Sequence, residues 1–451
     1  MVLELDGLAD QHRDIRRLRA TGLAGDGRLA VLVKPSTTPN SVARVRALLQ
    51  RAGFLVETIE EDESGGMRLY ARRVPEPPDS LAAVAWGEDD PDAVLDLRYA
   101  PDETEWLDPH PREAWSRAIA STTDAGAGLV SHYPVDDPFG AIRAAPVIGR
   151  AFGCPLDTCQ VIFAAGVTLL LHDLAGLSDG GSIACPPLVH ADLEARAFSR
   201  GMSIRVVPEP TDPGELIRAV TADPPALLHL DRPTFTGHVI DLAAVEAIAD
   251  AVARAGAAVV IDGAGATYLP AKASAITLVN RTENLVVLRG FTKAYSWGGL
   301  RAGFAVTSRE VSAAVRALVA PMQVSEVALA AALRLIESGD CLARLRSQIR
   351  TMRIHSAALL TSHGLRPIQG HPDLPWIAID DRDRTASALF KQCGIRPLHP
   401  TSHPCISPVP PTVRITIPLS DARLERLTEL LASAAHHNHG DRTIDAARSP
   451  V

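Results

Sequence analysis

The sequence predicts an α/β protein with a large, mostly parallel sheet covered by helices on both faces. A smaller α+β unit follows it, and a small α/β unit precedes it. Three observations predict this. Between residues 160 and 307 short apolar runs alternate with amphipathic helical patterns, the arrangement of parallel strands joined by crossover helices. After about residue 335 the pattern changes to one long helix and two separated strands. The chain has 451 residues, 46% hydrophobic and 22% charged, an ordinary globular composition spread over more than one domain of roughly 150 residues.

Each element follows in order. Residues 1–78 read as a small accessory unit. Arg28–Val33 is an apolar strand, and Asn40 or Ser41 caps a helix with Val42, Val45, Leu48 and Leu49 on one face. Gly53 ends that helix, and Phe54–Ile59 and Met67–Ala71 alternate as strands. The Pro- and acid-rich stretch from Arg72 to Ala93 reads as a linker, bounded at 79–95. The large domain, 96–335, carries strands at 160–165, 182–186, 203–207, 225–230, 257–262, 285–289 and 302–307, with helices such as 167–177, 189–200 and 241–255. The smaller domain, 336–436, holds a helix at 340–363, strands at 375–380 and 412–417, and a final helix at 420–436. The polar tail 437–451 is expected to be disordered.

Composition excludes several classes. No apolar run approaches the roughly 20 residues of a membrane helix. Met1–Arg19 is charged, without the apolar core of a signal peptide, so a cytoplasmic protein with no membrane partner is expected. The six cysteines (Cys154, Cys159, Cys185, Cys341, Cys393, Cys405) lack metal-ligand spacing and read as reduced thiols, with no metal site. A net charge of −8 argues against nucleic acid as a partner. Of 45 basic residues only four are Lys (Lys34, Lys272, Lys293, Lys391), which makes each worth inspecting.

Two segments carry chemistry. Val259–Asp262 is an apolar strand ending in a carboxylate, and parallel sheets place ligands at the carboxyl ends of their strands. Leu285–Gly303 delivers Lys293 from a strand into a Gly-rich turn beside Phe291, Tyr295 and Trp297, with Arg301 eight residues later. Apolar surroundings favour a neutral amine, the form a Schiff-base lysine needs.

The segment FTKAYSWGGLRAGF resembles the lysine signature of class I/II aminotransferases, the fold type I pyridoxal-phosphate enzymes of the aspartate aminotransferase superfamily. Histidinol-phosphate aminotransferase and threonine-phosphate decarboxylase are the nearest in flavour. The resemblance runs from about Asp96 to Leu431. It implies pyridoxal 5′-phosphate as cofactor, an amino acid as substrate and a homodimer.

The resemblance also implies a role for each matching residue. Lys293 forms the Schiff base with the cofactor, and Asp262 pairs with the pyridinium nitrogen, so that the ring acts as an electron sink. Arg301 holds the phosphate, helped by backbone N–H groups of Gly166, Val167 and Thr168, which open a helix after a strand. Thr292, beside the lysine, also belongs to the cofactor site. His190 falls where the family stacks an aromatic residue on the ring, and Tyr133 in HYPVDDPFGAIR matches the tyrosine that reaches the neighbouring subunit's phosphate. Arg414 in TVRITIPLS matches the arginine that grips the substrate α-carboxylate, and Tyr99 in the segment Asp96–Tyr99 faces the substrate pocket.

Three departures stand out. The family's Asn-Pro-Thr-Gly turn is Thr234-Phe235-Thr236-Gly237, so Thr234 stands where an Asn donates to the cofactor's phenolic oxygen. The tyrosine three residues after the aspartate is Gly265, with Tyr268 further on, and the hydroxyl residue three before the lysine is Gly290. Thr234, Tyr268 or Arg232 are the candidates to fill the vacancy.

The N-terminal run SVARVRALLQRAGFLVETIEEDESGGMRLYARRV resembles the last helix and strand pair of S-adenosylmethionine methyltransferases. It lacks a glycine-rich nucleotide loop and is taken as an accessory unit without catalysis.

Three functions are weighed. An aminotransferase acting on an amino acid, in specialised-metabolite biosynthesis, is preferred as the commoner chemistry on this scaffold. A lyase on the same scaffold is the alternative, by decarboxylation, β/γ-elimination or replacement, or an oxidative variant. A cofactor-binding transcription regulator needs a basic helical head. Residues 1–80 instead hold 12 basic and 12 acidic side chains in a strand-containing pattern.

Overall fold

The computed structural model describes residues 2–5, 28–33, 45, 49, 54–61, 67–73, 94–108, 111–124, 133–178, 181–400, 406 and 408–445. In the N-terminal unit, β1 (Val2–Leu5), β2 (Arg28–Val33), β3 (Phe54–Glu61) and β4 (Met67–Arg73) form one sheet in the order β1-β2-β4-β3. The first pair is parallel and the other two are antiparallel. Strand β1 falls within the charged stretch Met1–Arg19, where the sequence pattern predicts no element. Val45 and Leu49 are helical and buried, as the apolar face requires. Asn40, Ser41, Val42, Leu48, Gly53, the linker up to residue 93 and Cys405 lie outside the described residues.

The central sheet has seven strands: β6 (Val161–Ala164), β7 (Ser182–Cys185), β8 (Ser203–Val206), β9 (Leu227–Asp231), β10 (Ala258–Asp262), β11 (Leu285–Gly290) and β12 (Gly303–Thr307). Their order is β6-β12-β11-β10-β9-β7-β8. Only β12 opposes its neighbours. Residues on both faces of β6, β10, β11 and β12 are buried, so these strands read as continuous apolar runs instead of alternating ones. Separate apolar clusters pack the sheet, one around Leu228, Ile261 and Val287, the other around Ile162, Val260 and Val286. Pairing of β9 with β10 sets Asp231 directly beside Asp262 at their carboxyl ends.

The smaller domain pairs β13 (Trp376–Asp380) with β15 (Thr412–Thr416) antiparallel, placing Arg414 opposite Ala378. The short β5 (Leu95–Asp96) pairs in parallel with β14 (Ile395–Arg396). Residues 95–103 are therefore tied to the C-terminal strands. The Thr416 hydroxyl lies 3.0 Å from the carbonyls of Leu97 and Tyr99, and the Asp102 carboxylate accepts from the backbone of Leu419 and Ser420, each at 3.0 Å.

The last helix departs from expectation. It runs Asp421–Asp445 instead of ending at 436, so the first part of the expected disordered tail is helical. No proline interrupts the chain between Pro418 and Pro450, which leaves the helix without its strongest stop.

Candidate functional site

Strands β9, β10 and β11 end at a cavity of about 520 Å³ whose walls include Asp231, Asp262, Thr292, Lys293 and Arg414. Asp262 closes β10, is 7% exposed, and accepts from the backbone of Ala264 at 2.8 Å. Lys293 sits three residues past β11 in a turn closed by Ser296 N to Lys293 O at 3.0 Å and Trp297 N to Phe291 O at 3.1 Å. By surface area the lysine is exposed, yet what it faces is the cavity interior. Electrostatically it behaves as a buried group. Burial, reinforced by the Arg414 charge, pushes its amine below the usual lysine value, and Asp262 and Glu103 pull the other way.

Beside this wall lies a cradle. Gly166, with φ of 97°, precedes the helix Val167–Leu174. The Arg301 guanidinium reaches over it to the Ala165 carbonyl at 3.1 Å, close enough that a Cβ on Gly166 would fall 2.7 Å from Nη2. From below, Gly303 approaches so closely that a Cβ there would lie 2.9 Å from Val167 N. The N–H groups of a helix start, an arginine and two glycines are the parts of an anion site.

The opposite wall is built by side chains from distant segments. The Arg414 guanidinium carbon lies 4.7 Å from the Phe235 ring centre and 4.8 Å from that of Trp376. Among the described residues it forms no ion pair, and burial lowers its pKa to about 10. Near it, Tyr268 donates to Glu103 at 2.8 Å. Glu103 is 5% exposed, and burial pushes its carboxyl up to about 8, opposed by the Tyr268 hydrogen bond. Sequence reasoning missed Glu103 and Trp376. A carboxylate in a polar turn and a tryptophan in an apolar strand carry no local signal of a site.

Behind Asp262 is a buried acid cluster. His229 Nδ1 lies 2.7 Å from Glu194 Oε1, and Nε2 lies 3.7 Å from Asp231 Oδ1. Burial opposes the imidazolium, but the Glu194 and Asp231 carboxylates outweigh it and lift His229 to about 9. Burial and the adjacent Asp262 raise Asp231 well above the carboxylate range. One atom each from His229, Asp231 and Asp262 lie within 4.8 Å of one another, a spacing that a metal ion also accepts.

The sequence-predicted residues divide into three groups. Lys293, Asp262, Thr292, Thr234, His190, Arg414 and Tyr99 line the cavity, and Arg301, Gly166, Val167 and Thr168 form the adjoining cradle. Tyr133 joins neither and is 82% exposed. Among the candidates to replace the missing donors, Arg232 is committed elsewhere, donating to Ile240 O and Ala273 O at 2.7 Å each. The Tyr268 hydroxyl hydrogen goes to Glu103. Thr234 Oγ1 accepts from His238 N at 3.1 Å and lies 3.0 Å from Thr236 Oγ1. At Gly265 a Cβ would meet Pro233 Cδ and Trp376 Cη2 at 3.3 Å each, so Trp376 stands where a larger residue 265 would need room.

Residues 143–431 match the family described as aminotransferase class I and II. The aromatic amino acid aminotransferase of Mycolicibacterium smegmatis is 32% identical over 190 residues, 41% of this chain and 44% of that protein. The histidinol-phosphate aminotransferase of Ruegeria pomeroyi is 32% identical over 259 residues, 55% of this chain and 69% of that protein. The chain thus spans less than half the length of the first of these relatives. Among solved structures, histidinol-phosphate aminotransferase from Sinorhizobium meliloti in complex with pyridoxal-5′-phosphate shares the fold, with a TM-score of 0.62 at 19% identity over 79% of this chain and 95% of that one.

Proposed function

Because this chain belongs to the class I and II aminotransferase family, we propose that it is a pyridoxal-phosphate enzyme that removes the amino group of an amino acid, with Lys293 carrying the cofactor. The observation that carries the proposal is convergence: Lys293, Asp262 and Arg414 meet in one cavity, and the guanidinium there has no ion-pair partner among the described residues.

The residues fit the cofactor. The Gly166 cradle has no space for a Cβ, and although the Gly166 N–H is given to Ala164 O at 2.8 Å, Arg301 and the Val167 and Thr168 amides at the helix start suit a phosphate. Asp262 suits a ring nitrogen, and a lysine amine pushed down by burial is primed for Schiff-base formation. When bound, pyridoxal 5′-phosphate supplies an electron sink for the bond broken at Cα. The protein does the rest. Asp262 would hold a proton on the ring nitrogen, and His190 and Thr292 line the cavity where the ring would lie. Arg414 binds the α-carboxylate, which fixes the bond at Cα that is broken. With the cofactor bound, the Lys293 amine would be the base that takes the proton from Cα and returns it.

Three finer assignments go with this reading. The unit is a twofold homodimer, because Tyr133 is exposed at 82% and suits a reach into a neighbour's cradle. The location is cytoplasmic, supported by five described cysteines that are all free. No described helix is long and apolar enough to cross a membrane. The departures at 234, 265 and 290 favour a role in specialised metabolism, and they also favour the second reading, a lyase, since fewer donors hold the phenolic oxygen.

Borohydride reduction followed by peptide mapping is the test. The label is expected on Lys293 and absent from Lys293→Ala. A label elsewhere removes the reading. A single turnover without acceptor then decides the reaction: a keto acid with the amino group retained on the cofactor means amino transfer, and carbon dioxide, or an eliminated side-chain group with free ammonia, means a lyase.

A further inference from the structure

We propose that Trp376 and Phe235 are the positioning residues of the carboxylate site, holding Arg414 by aromatic contact so that its N–H groups stay open for the substrate. The proposal rests on the assignment of Arg414 to the α-carboxylate and goes further by naming what prepares that arginine.

A guanidinium set in an apolar strand usually meets a carboxylate, because an unpaired charge held partly away from water is costly, and Arg414 is half-buried. Here the neighbours are two rings, 4.7 and 4.8 Å from the guanidinium carbon. Ring faces stabilise a cation without accepting hydrogen bonds at the edge of the fork. A protein carboxylate in the same place would stabilise the charge too, but the incoming carboxylate would have to displace it. The rings do not compete with the ligand.

The clamp joins both domains. Phe235 follows β9 of the large sheet, whereas Trp376 opens β13, the strand paired with the one bearing Arg414. Space for the indole comes from the two glycines beneath it. A Cβ at Gly265 would lie 3.3 Å from Trp376 Cη2, and one at Gly237 would lie 3.4 Å from Trp376 Nε1. The indole N–H has no hydrogen-bond partner, so packing alone sets the ring, with the Tyr268 ring edge-on at 6.0 Å. Two departures from the family pattern, Phe235 and Gly265, thus serve one purpose: the first supplies a ring and the second makes room for the other.

Titrating the holoenzyme by the absorbance of its bound cofactor tests this. The ligands are L-phenylalanine with 2-phenylethylamine, and L-glutamine with 4-aminobutanamide, each pair differing by the α-carboxylate. Trp376→Leu is expected to raise the half-saturating amino acid by about tenfold and leave the amine within about twofold. Trp376→Phe is expected to restore most of the loss, and in an Arg414→Gln background Trp376→Leu is expected to add nothing. Phe235→Leu makes the same test should Trp376→Leu fail to retain cofactor. Equal weakening of acid and amine, no weakening by either aromatic variant, or full weakening in the Arg414→Gln background would overturn the proposal. If Arg414→Gln itself fails to separate acid from amine, the assignment of Arg414 falls and takes this inference with it. If Arg414→Gln separates them and the aromatic variants do not, only this inference falls.

Discussion

At the end of the cavity proposed to hold the cofactor, the assigned groups hang from strand ends of one sheet. Asp262 closes β10, Lys293 follows β11, and the Gly166 turn follows β6, so hydrogen-bonded register fixes their spacing. At the carboxylate end, Glu103, Phe235, Tyr268, Trp376 and Arg414 come from five separate segments and are set by packing. Backbone placement leaves little tolerance for an added atom but does not depend on particular neighbours. Side-chain placement depends on every neighbour, and it can be retuned by a single substitution. The cofactor end should therefore fail through glycines, and the carboxylate end through aromatic and charged side chains.

The largest expected effect tests the first half of that contrast. In Gly303→Ala the new Cβ lies 2.9 Å from backbone atoms of Gly166 and Val167, so the cradle itself must shift. Displacement on that scale is expected to weaken cofactor retention by about a hundredfold, measured by equilibrium dialysis. Gly214→Ala is the control, since a Cβ there meets only the side-chain ends of Asp212 and Arg218 and lies away from the cavity lining. Equal retention in the two variants would mean that the cradle does not hold the phosphate.

Next comes Arg414→Gln, at the opposite end. Removing one partner of a buried charge pair costs about 2–5 kcal/mol, so the amino acid needed for half-saturation should rise by tens to thousands of times. Cofactor retention should stay unchanged. Loss of cofactor with normal amino acid binding in what remains would make the arginine structural and erase the division between the two ends.

The same division explains what was legible in the sequence. Lys293 and Asp262 stood out as residues at strand termini beside turns, whereas Arg301 and the Gly166 turn were singled out through the resemblance of FTKAYSWGGLRAGF to the family's lysine signature. Arg414 was readable because a lone arginine in an apolar strand needs an anion. Glu103 and Tyr268 are 165 residues apart, and nothing in either neighbourhood announces their pairing. Trp376 reads as core, and in volume it is core. The vacancy at the phenolic oxygen was legible. That Arg232 is spent on Ile240 O and Ala273 O was not, since the fold decides it.

Glu103 gives a third, smaller effect. Its carboxyl is raised from 4.5 to about 8 by burial, against the Tyr268 hydrogen bond. The native chain therefore keeps a proton that the unfolded chain releases above pH 4.5. Stability due to this group is fully present below that pH and is lost as pH rises towards 8. Glu103→Gln cannot ionise, so urea midpoints of the variant should fall less between pH 5 and 8 than those of the native protein, a difference of roughly 2–4 kcal/mol by pH 8. Parallel curves would mean that Glu103 is ionised in the native site and that this wall of the cavity is more polar than its burial implies.

The smallest effect tests whether the two ends meet at Thr234. This residue lines the cavity, and its hydroxyl oxygen already accepts from His238 N at 3.1 Å and lies 3.0 Å from Thr236 Oγ1. Arg232 gives Nε and Nη1 to carbonyls and is not among the cavity-lining residues, and the Tyr268 hydrogen goes to Glu103, so of the three candidate replacements Thr234 alone keeps a hydroxyl hydrogen that the phenolic oxygen could take. Restoring the tyrosine at 265 is not a clean test, because its Cβ would already press Pro233 and Trp376 at 3.3 Å. Thr234→Asn adds a donor without entering that space. A hydrogen bond to a charged oxygen is worth about 1.5–3 kcal/mol and favours the ionised form. The pH midpoint of the bound cofactor's absorbance should therefore fall by roughly one to two pH units, since each unit corresponds to about 1.4 kcal/mol. Amino-group transfer in a single turnover should rise relative to any other product. An unmoved midpoint would show that Thr234 already donates to the oxygen, and the physical case for altered chemistry at this site would be gone.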